Sequence, residues 1–407
     1  MPAGQLRVRS IWLGPGRELS PGELAWDAQG RLLVLRRASV RARLADLCLV
    51  PGLVNAHAHL QLPALPEPGA PHAFLPWVGA VMAARSAMPP GDLAAAAVAA
   101  ARGLLAEGVT AVGEVDAAGT SPVPLGRLGW RGRCYRELVG YHLGQTAARD
   151  LLRELRPRVP SALRWGWSPH APYSVSPALF AAAVASRRPL AIHCAELPEE
   201  QEFLHTGRGP FAELLQRLGR LPADHRPSGC GAVQWLERLG ALRRTTQLVH
   251  CQELEPGDVA RIAASQASIA VCPGTIAWFR RNAPPVPAWL AAGIPVALGT
   301  DSRASSAPFG MRAELAAALR LWPSLGPEQV LAMATVHGAR ALACPGLGRL
   351  ALGGRADFFA VPAGADAATE PVVAFVRGER PVVGVWLGGR RWRGLRTGLS
   401  ISPPGLP

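Results

Sequence analysis

From Pro51 onward, short apolar runs that end in polar residues alternate with longer alanine- and leucine-rich stretches. The strand-like runs fall near 52–59, 109–115, 133–139, 164–170, 190–196, 246–252, 268–273 and 295–301. Short apolar runs of this kind, bounded by turn residues, are the pattern of strands buried on both faces. Helix-like runs sit between several of them, including Asp92 to Glu107 and Pro177 to Ser186. Asp92 is the expected N-cap of the first, which ends before Gly108. Eight strands with intervening helices over about 290 residues predict an α/β fold, a (β/α)8 TIM-like barrel.

The two ends of the chain have a different texture. Residues 6–50 read as short strands and turns, with a hairpin between Gly22 and Leu35 that turns around Asp27 to Gly30. Strand character returns after residue 345, in Ala356 to Val361 and Pro381 to Leu387. Either segment alone is too short for a stable core. The expected organisation is therefore a small composite β-sandwich from residues 1–50 and 345–407 around a barrel of residues 51–344. The tail from Ser402 is expected to be loose. No apolar run approaches the roughly 20 residues of a membrane span, and Met1-Pro2-Ala3-Gly4 opens no signal-peptide core. A cytoplasmic protein with no membrane partner is the expectation.

The chemistry gathers where the strand runs end, the functional end of parallel barrel strands. His57 and His59 are two apart on the first strand, so their side chains share a face. A lone H-x-H is weak, but at the end of a first barrel strand it is a metal-ligand pair suited to zinc or a similar divalent ion. His193 ends the fifth strand and Asp301 the eighth. Three imidazoles and a carboxylate leave room for water on a single metal, which lowers that water's pKa to about 7. Glu196, three residues past His193, can shuttle a proton from water to a ring or leaving group; a solvated loop acid is the alternative. His250, ending the sixth strand, can orient water or stabilise developing charge; a satisfied core histidine is the alternative. Asp301 can both hold the metal and accept a proton.

The order H-x-H, H-x-x-E, H and T-D-S across residues 51–301 resembles the amidohydrolase superfamily, in its mononuclear deaminase and chlorohydrolase branch. The return to strand through Gly348-Arg349-Leu350-Ala351-Leu352-Gly353-Gly354-Arg355-Ala356-Asp357 is similar to that superfamily's composite sandwich. The resemblance implies that His57, His59, His193 and Asp301 bind one divalent metal, Zn2+ with Fe2+ as the alternative, and that Glu196, His250 and Asp301 are catalytic. Many two-metal relatives bridge their ions with a carbamylated lysine; this chain has no lysine.

On the substrate side, the string Pro169-His170-Ala171-Pro172-Tyr173 resembles a segment of adenosine-type deaminases whose histidine contacts substrate, which implies that role for His170. The run from Phe74 through Arg85 departs from the methylthioadenosine and S-adenosylhomocysteine deaminases, which usually place a ribose-binding glutamate in this region; none appears from 68 to 106. With Glu199 to Phe211, it looks more like the aminodeoxyfutalosine deaminase-like proteins. Phe74 and Trp77 are candidates for an apolar pocket wall, with core packing as the alternative. Arg208, in a glycine-bracketed loop, is a candidate carboxylate grip, with a solvated arginine as the alternative. His72, His142, His205, His225 and His337 lack a strand-end setting and read as surface or packing residues.

Charge changes the picture less than its size suggests. Forty-three arginines against 29 acidic residues give +14, which would normally raise nucleic-acid binding. The arginines are scattered, and the densest cluster, Arg390-Arg391-Trp392-Arg393, is short. No nucleic-acid partner is expected. Seven widely spaced cysteines without a C-x-x-C suit free thiols; Cys194 and Cys251, each following a strand-end histidine, should face the helix layer. The expected activity is deamination of a purine-like ring by metal-activated hydroxide, with an adenine nucleoside derivative such as aminodeoxyfutalosine as the leading substrate. The alternatives are another heterocycle, in the manner of guanine deaminases, chlorohydrolases or cyclic amide hydrolases, and a non-catalytic binding protein on the same fold. The partner is a small molecule, and a homodimer is compatible with the sequence.

Overall fold

A computed structural model describes residues 2–39, 41–64, 73–364 and 370–394. His72 and the tail from Ser402 lie outside the described residues. Eight parallel strands run in sequence order around a barrel: Leu53–Ala58, Val109–Asp116, Arg131–Leu138, Leu163–Pro169, Leu190–Cys194, Thr246–His250, Ser268–Val271 and Val296–Leu298. Their side chains are almost all buried, which is why the sequence shows continuous apolar runs rather than alternation. The barrel closes where Ala58 bridges Asp301 in parallel register. At this seam the His59 amide donates to the Asp301 carbonyl (2.9 Å), and the Thr300 and Asp301 amides donate to the His57 carbonyl (3.0 and 3.1 Å).

Helices wrap the barrel. The expected helix from Asp92 runs over Pro90–Ala106; proline occupies its first position and Asp92 lies in its first turn rather than at the cap. Helix Pro177–Ala185 is capped by Ser176, whose side chain accepts from the Leu179 amide at 3.1 Å. Below the barrel, Ala339, Leu342 and Cys344 pack against Val54, Ala111, Val115, Tyr135 and Ala191, so the floor is filled. All seven cysteines are free and buried. Cys194 and Cys251 join the large apolar cluster shared with helix residues such as Phe203 and Leu236, as their alternation with the histidines predicts.

The flanking strands form one hydrogen-bonded mixed sheet. Strand Gly4–Gly14 pairs antiparallel with Gly22–Trp26 and parallel with Ala45–Pro51; the latter pairs antiparallel with Phe358–Pro362. Strands Gly384–Leu387 and Arg390–Arg391 extend it. The hairpin turns where expected, with Asp27 Oδ1 accepting from the Gln29 and Arg31 amides. Residues of both chain ends share a core in which Phe358 lies against Trp26 and stacks on Trp386, ring centroids 5.8 and 4.7 Å apart. Among the described residues, no helix is long and apolar enough to cross a membrane.

Candidate metal and catalytic centre

The barrel seam is also where the ligand-type side chains meet. Gly299 makes the approach of the eighth strand possible: a Cβ there would stand 2.8 Å from both the Cβ and the carbonyl oxygen of His57. With that space kept open, Asp301 reaches the histidines of the first strand. One donor atom from each of His57, His59, His193 and Asp301 lies within 4.8 Å of the others, and all four residues are buried. His57 Nε2 and His59 Nε2 stand 3.5 and 3.8 Å from Asp301 Oδ1, and His59 Nε2 stands 3.4 Å from His193 Nε2.

The surrounding contacts set the protonation of this quartet. His193 Nδ1 faces the His170 carbonyl at 3.0 Å, so Nδ1 carries the proton and Nε2 is left as a donor to a cation. Asp301 Oδ2 accepts from Ser305 Oγ (2.6 Å) and Thr275 Oγ1 (3.1 Å), which aims Oδ1 at the imidazoles. Burial lowers the pKa of His57 to about 4 and that of His59 to about 3, keeping both neutral. Burial alone would raise the Asp301 carboxyl, but the imidazoles around it, His57 first with Nε2 at 3.5 Å, hold it well below the usual range. His57 is fully buried, and neither of its ring nitrogens has a hydrogen-bond partner among the described residues. Buried polar atoms normally find partners. A single divalent cation held by His57, His59, His193 and Asp301 would occupy the unused nitrogen, and neutral imidazoles with one ionised carboxylate suit zinc.

Beside the quartet sits an acid–base group. Glu196 is buried, with Oε1 accepting from Arg281 Nη1 at 2.8 Å and Oε2 3.8 Å from His250 Nε2. Burial raises its proton affinity, but His250, Arg281 and His193 outweigh that and hold its pKa below the ordinary value. His250 is itself held low, first by burial. Ala195 (φ 49°), His250 (φ 71°) and Asp301 (φ 53°) are left-handed non-glycine residues at strand ends. Such backbone costs about 1–3 kcal/mol per residue and clusters at functional sites.

The other candidates divide. The His170 ring lies 4.7 Å from that of His193, with Nδ1 2.8 Å from Ser174 Oγ, and burial lowers its pKa to about 3. Phe74 and Trp77, on helix Phe74–Ser86, pack together and against Phe279, with centroids 5.3 to 5.9 Å apart. Trp77 Nε1 donates to the Ala304 carbonyl at 2.7 Å, tying this helix to the loop after Asp301. Arg208 is exposed, and among the described residues no side-chain hydrogen bond, ion pair or ring contact joins it to the site. The arginine that does reach the centre is Arg281, which sequence reasoning missed. Its one signal was Phe279-Arg280-Arg281, an aromatic beside a basic pair in the loop after the seventh strand. The packing assignments for His205, His225 and His337 agree with their contacts to Glu255, Tyr141 and the Val296 carbonyl.

Residues 48–391 match the Amidohydrolase family, and the chain belongs to it. Within that family it is 32% identical over 384 residues to the aminodeoxyfutalosine deaminase of Deinococcus radiodurans, covering 86% of this chain and 85% of that protein. It is 30% identical over 352 residues to a 5-methylthioadenosine/S-adenosylhomocysteine deaminase of Nitratidesulfovibrio vulgaris, covering 79% and 73%. In fold it resembles the Helicobacter pylori aminofutalosine deaminase bound to methylthio-coformycin, with a TM-score of 0.79, 22% identity and coverage of 96% and 100%. A zinc-bound adenosine deaminase from Xanthomonas campestris gives a TM-score of 0.77, 21% identity and coverage of 95% and 92%.

Proposed function

We propose that this amidohydrolase is a metal-dependent aminohydrolase that deaminates an adenine nucleoside derivative, with aminodeoxyfutalosine as the leading substrate. The observation that carries the reading is the ionised, buried Glu196 standing beside His250 and a four-ligand cluster. The likeness to the Deinococcus enzyme over most of both chains supports the substrate class. A divalent ion, zinc in this reading, would be held by His57, His59, His193 and Asp301 and would acidify a water to a pKa near 7.

The chain's own groups do the rest. Water adds to the ring carbon that bears the amine. Glu196 is the base that takes the water's proton and the acid that delivers it to the ring nitrogen. Asp301 is the second carboxylate able to accept a proton at this point. Neutral His250 donates or accepts a hydrogen bond at the oxygen where charge develops. His170, in van der Waals reach of His193, faces the substrate ring. The adduct's hydroxyl then gives up its proton, by way of Asp301, to the departing amine; the carbon–nitrogen bond breaks, ammonia leaves, and the carbon ends as a carbonyl. Phe74 and Trp77 form the apolar wall along which the ligand lies.

The test is ammonia release by zinc-loaded protein on aminodeoxyfutalosine, adenosine, S-adenosylhomocysteine, guanine and cytosine. The expected order puts the adenine nucleosides first. Better turnover of guanine or cytosine would overturn the ring assignment, and no release from any of them would point to another heterocycle or leaving group.

A further inference from the structure

The end of the barrel away from the reaction centre holds a second concentration of charge. An open cleft of about 690 Å³ lies at the N-terminal ends of the third to sixth barrel strands, opposite the ends that carry His193 and His250. Arg133, Arg164, Arg187 and Arg188 line it with Trp165 and Thr245, and no aspartate or glutamate does. Catalytic groups on this fold occupy the other face, so the deaminase reading leaves these arginines unused.

Arg133 is the informative member. It is 4% exposed, and its nitrogens donate to carbonyls: Nε to Leu342 (2.8 Å), Nη1 to Trp165 (2.6 Å) and Nη2 to Ala343 (3.4 Å). A guanidinium carries five hydrogens, so two remain, one on each terminal nitrogen. Buried arginines are normally paired with an ionised acid, and among the described residues Arg133 has none. Its register partner on the adjacent strand is Arg164, a second cation on the same side of the pair. The Arg164 side chain likewise enters no ion pair or hydrogen bond among the described residues. Like charges set side by side repel, and nothing in the cleft offsets them.

The opposite wall adds charge and is held firmly. Arg187 is left-handed (φ 55°) in the turn before the fifth strand. Arg243 pins that turn by donating to the Val184 and Arg188 carbonyls at 3.3 and 2.6 Å. The Arg188 guanidinium carbon lies 4.2 Å from the ring centroid of Trp165. Stacking uses the face of the group and leaves its N–H edges for a ligand.

We infer that this cleft is a binding site for an oligophosphate, two or three linked phosphates seated among Arg133, Arg164, Arg187 and Arg188. Each phosphate brings up to about two negative charges, so a chain of that length balances four guanidiniums and a lone carboxylate does not. The guanidinium fork also matches the spacing of phosphate oxygens. Inorganic triphosphate and the tail of a nucleoside triphosphate share this chemistry.

Calorimetric titration of zinc-loaded protein, at about 150 mM salt to screen diffuse attraction, tests the site. One triphosphate should bind per chain, at least about 30-fold more tightly than orthophosphate. The side chains of Arg187 and Arg188 are exposed and make no hydrogen bond among the described residues, so Arg187→Gln with Arg188→Gln should fold. This pair should weaken triphosphate binding at least about tenfold. Arg37→Gln with Arg41→Gln removes the same charge from exposed positions outside the cleft and should leave the affinity unchanged. Equal weakening by the two pairs would mean only diffuse attraction to a basic chain, and the site falls. Undiminished binding in the Arg187 and Arg188 variant would place the triphosphate elsewhere, on the metal centre for example, and also refutes the site. Adenosine triphosphate binding at least tenfold more tightly than triphosphate identifies a nucleotide as the source of the phosphates, and binding no tighter identifies the inorganic chain; either upholds the site. A single-stranded oligouridylate that binds more tightly than both, and is lost in the same variant, would make this face a nucleic-acid surface and overturn the proposal.

Discussion

Glu196 is pulled in two directions, toward neutrality by burial and toward ionisation by Arg281 and His250, and ionisation wins. A base that must take a proton from water needs this outcome. Glu196→Gln keeps the size and one acceptor but cannot carry the proton, so kcat should fall at least about 100-fold with the metal content unchanged. His250→Ala should also lower kcat without emptying the metal site, whereas His193→Ala should reduce bound metal, measured by elemental analysis. The same analysis of the wild type should find one divalent ion per chain; two fully occupied ions would contradict the quartet. These residues were legible in the sequence because each closes an apolar strand run. Arg281 was not, because nothing local distinguishes it from 42 other arginines. Its meaning comes from a loop that folds back over Glu196, 85 positions earlier. Arg208 misled for the complementary reason: glycines on either side made its loop look special, and the turn they build leaves its side chain in solvent.

Between residue and fold, the turn after the fifth barrel strand is the element that holds Glu196. Ala195 is left-handed there, and Glu200 braces the turn by accepting from the Glu196 amide at 2.9 Å. Glu200 is fully buried, and its Oε1 has no partner among the described residues. Burial raises its pKa to about 8 from an unperturbed 4.5. The folded state therefore holds more protons than the unfolded one between these values. The stability contributed by Glu200 is complete below pH 4.5, declines as pH rises, and is lost as pH passes through 8. Glu200→Gln can still accept from the amide and cannot ionise. Its unfolding free energy relative to wild type, read by denaturant titration, should rise steadily from pH 5 to pH 8 and level off beyond, a swing on the order of a few kcal/mol. A constant difference across that range would mean that Glu200 does not titrate with folding. Helix and strand identities were readable from periodicity and turn residues, but this brace was not. H-x-x-E draws the eye to Glu196, and a second glutamate four residues on looks like an ordinary first-turn acid.

At the scale of the molecule, the two chain ends meet in one sheet, and the composition change at Pro51 was enough to foresee that. The register was not foreseeable, because strand pairing depends on contacts far apart in sequence. The middle strand of the junction, Ala45–Pro51, is covered on one edge by Gly4–Gly14 and on the other by Phe358–Pro362. A chain ending before Phe358 should lose the cooperative melting of the whole protein, read by calorimetry, because Leu47, Leu49 and Val50 would border an open edge.

The same arrangement governs how the protein is made. Pro51 pairs with Phe358, so a ribosome must add roughly 300 residues before the waiting edge can be covered, about 15–60 s at ordinary elongation rates. Throughout that interval the nascent chain presents an apolar strand with unsatisfied amides and carbonyls, the kind of surface that recruits chaperones or pairs with a neighbour on the same polysome. Slower initiation, which spaces ribosomes further apart on the message, should raise the soluble fraction of the full-length protein more than it raises that of a variant whose Ala45–Pro51 edge carries an added charge.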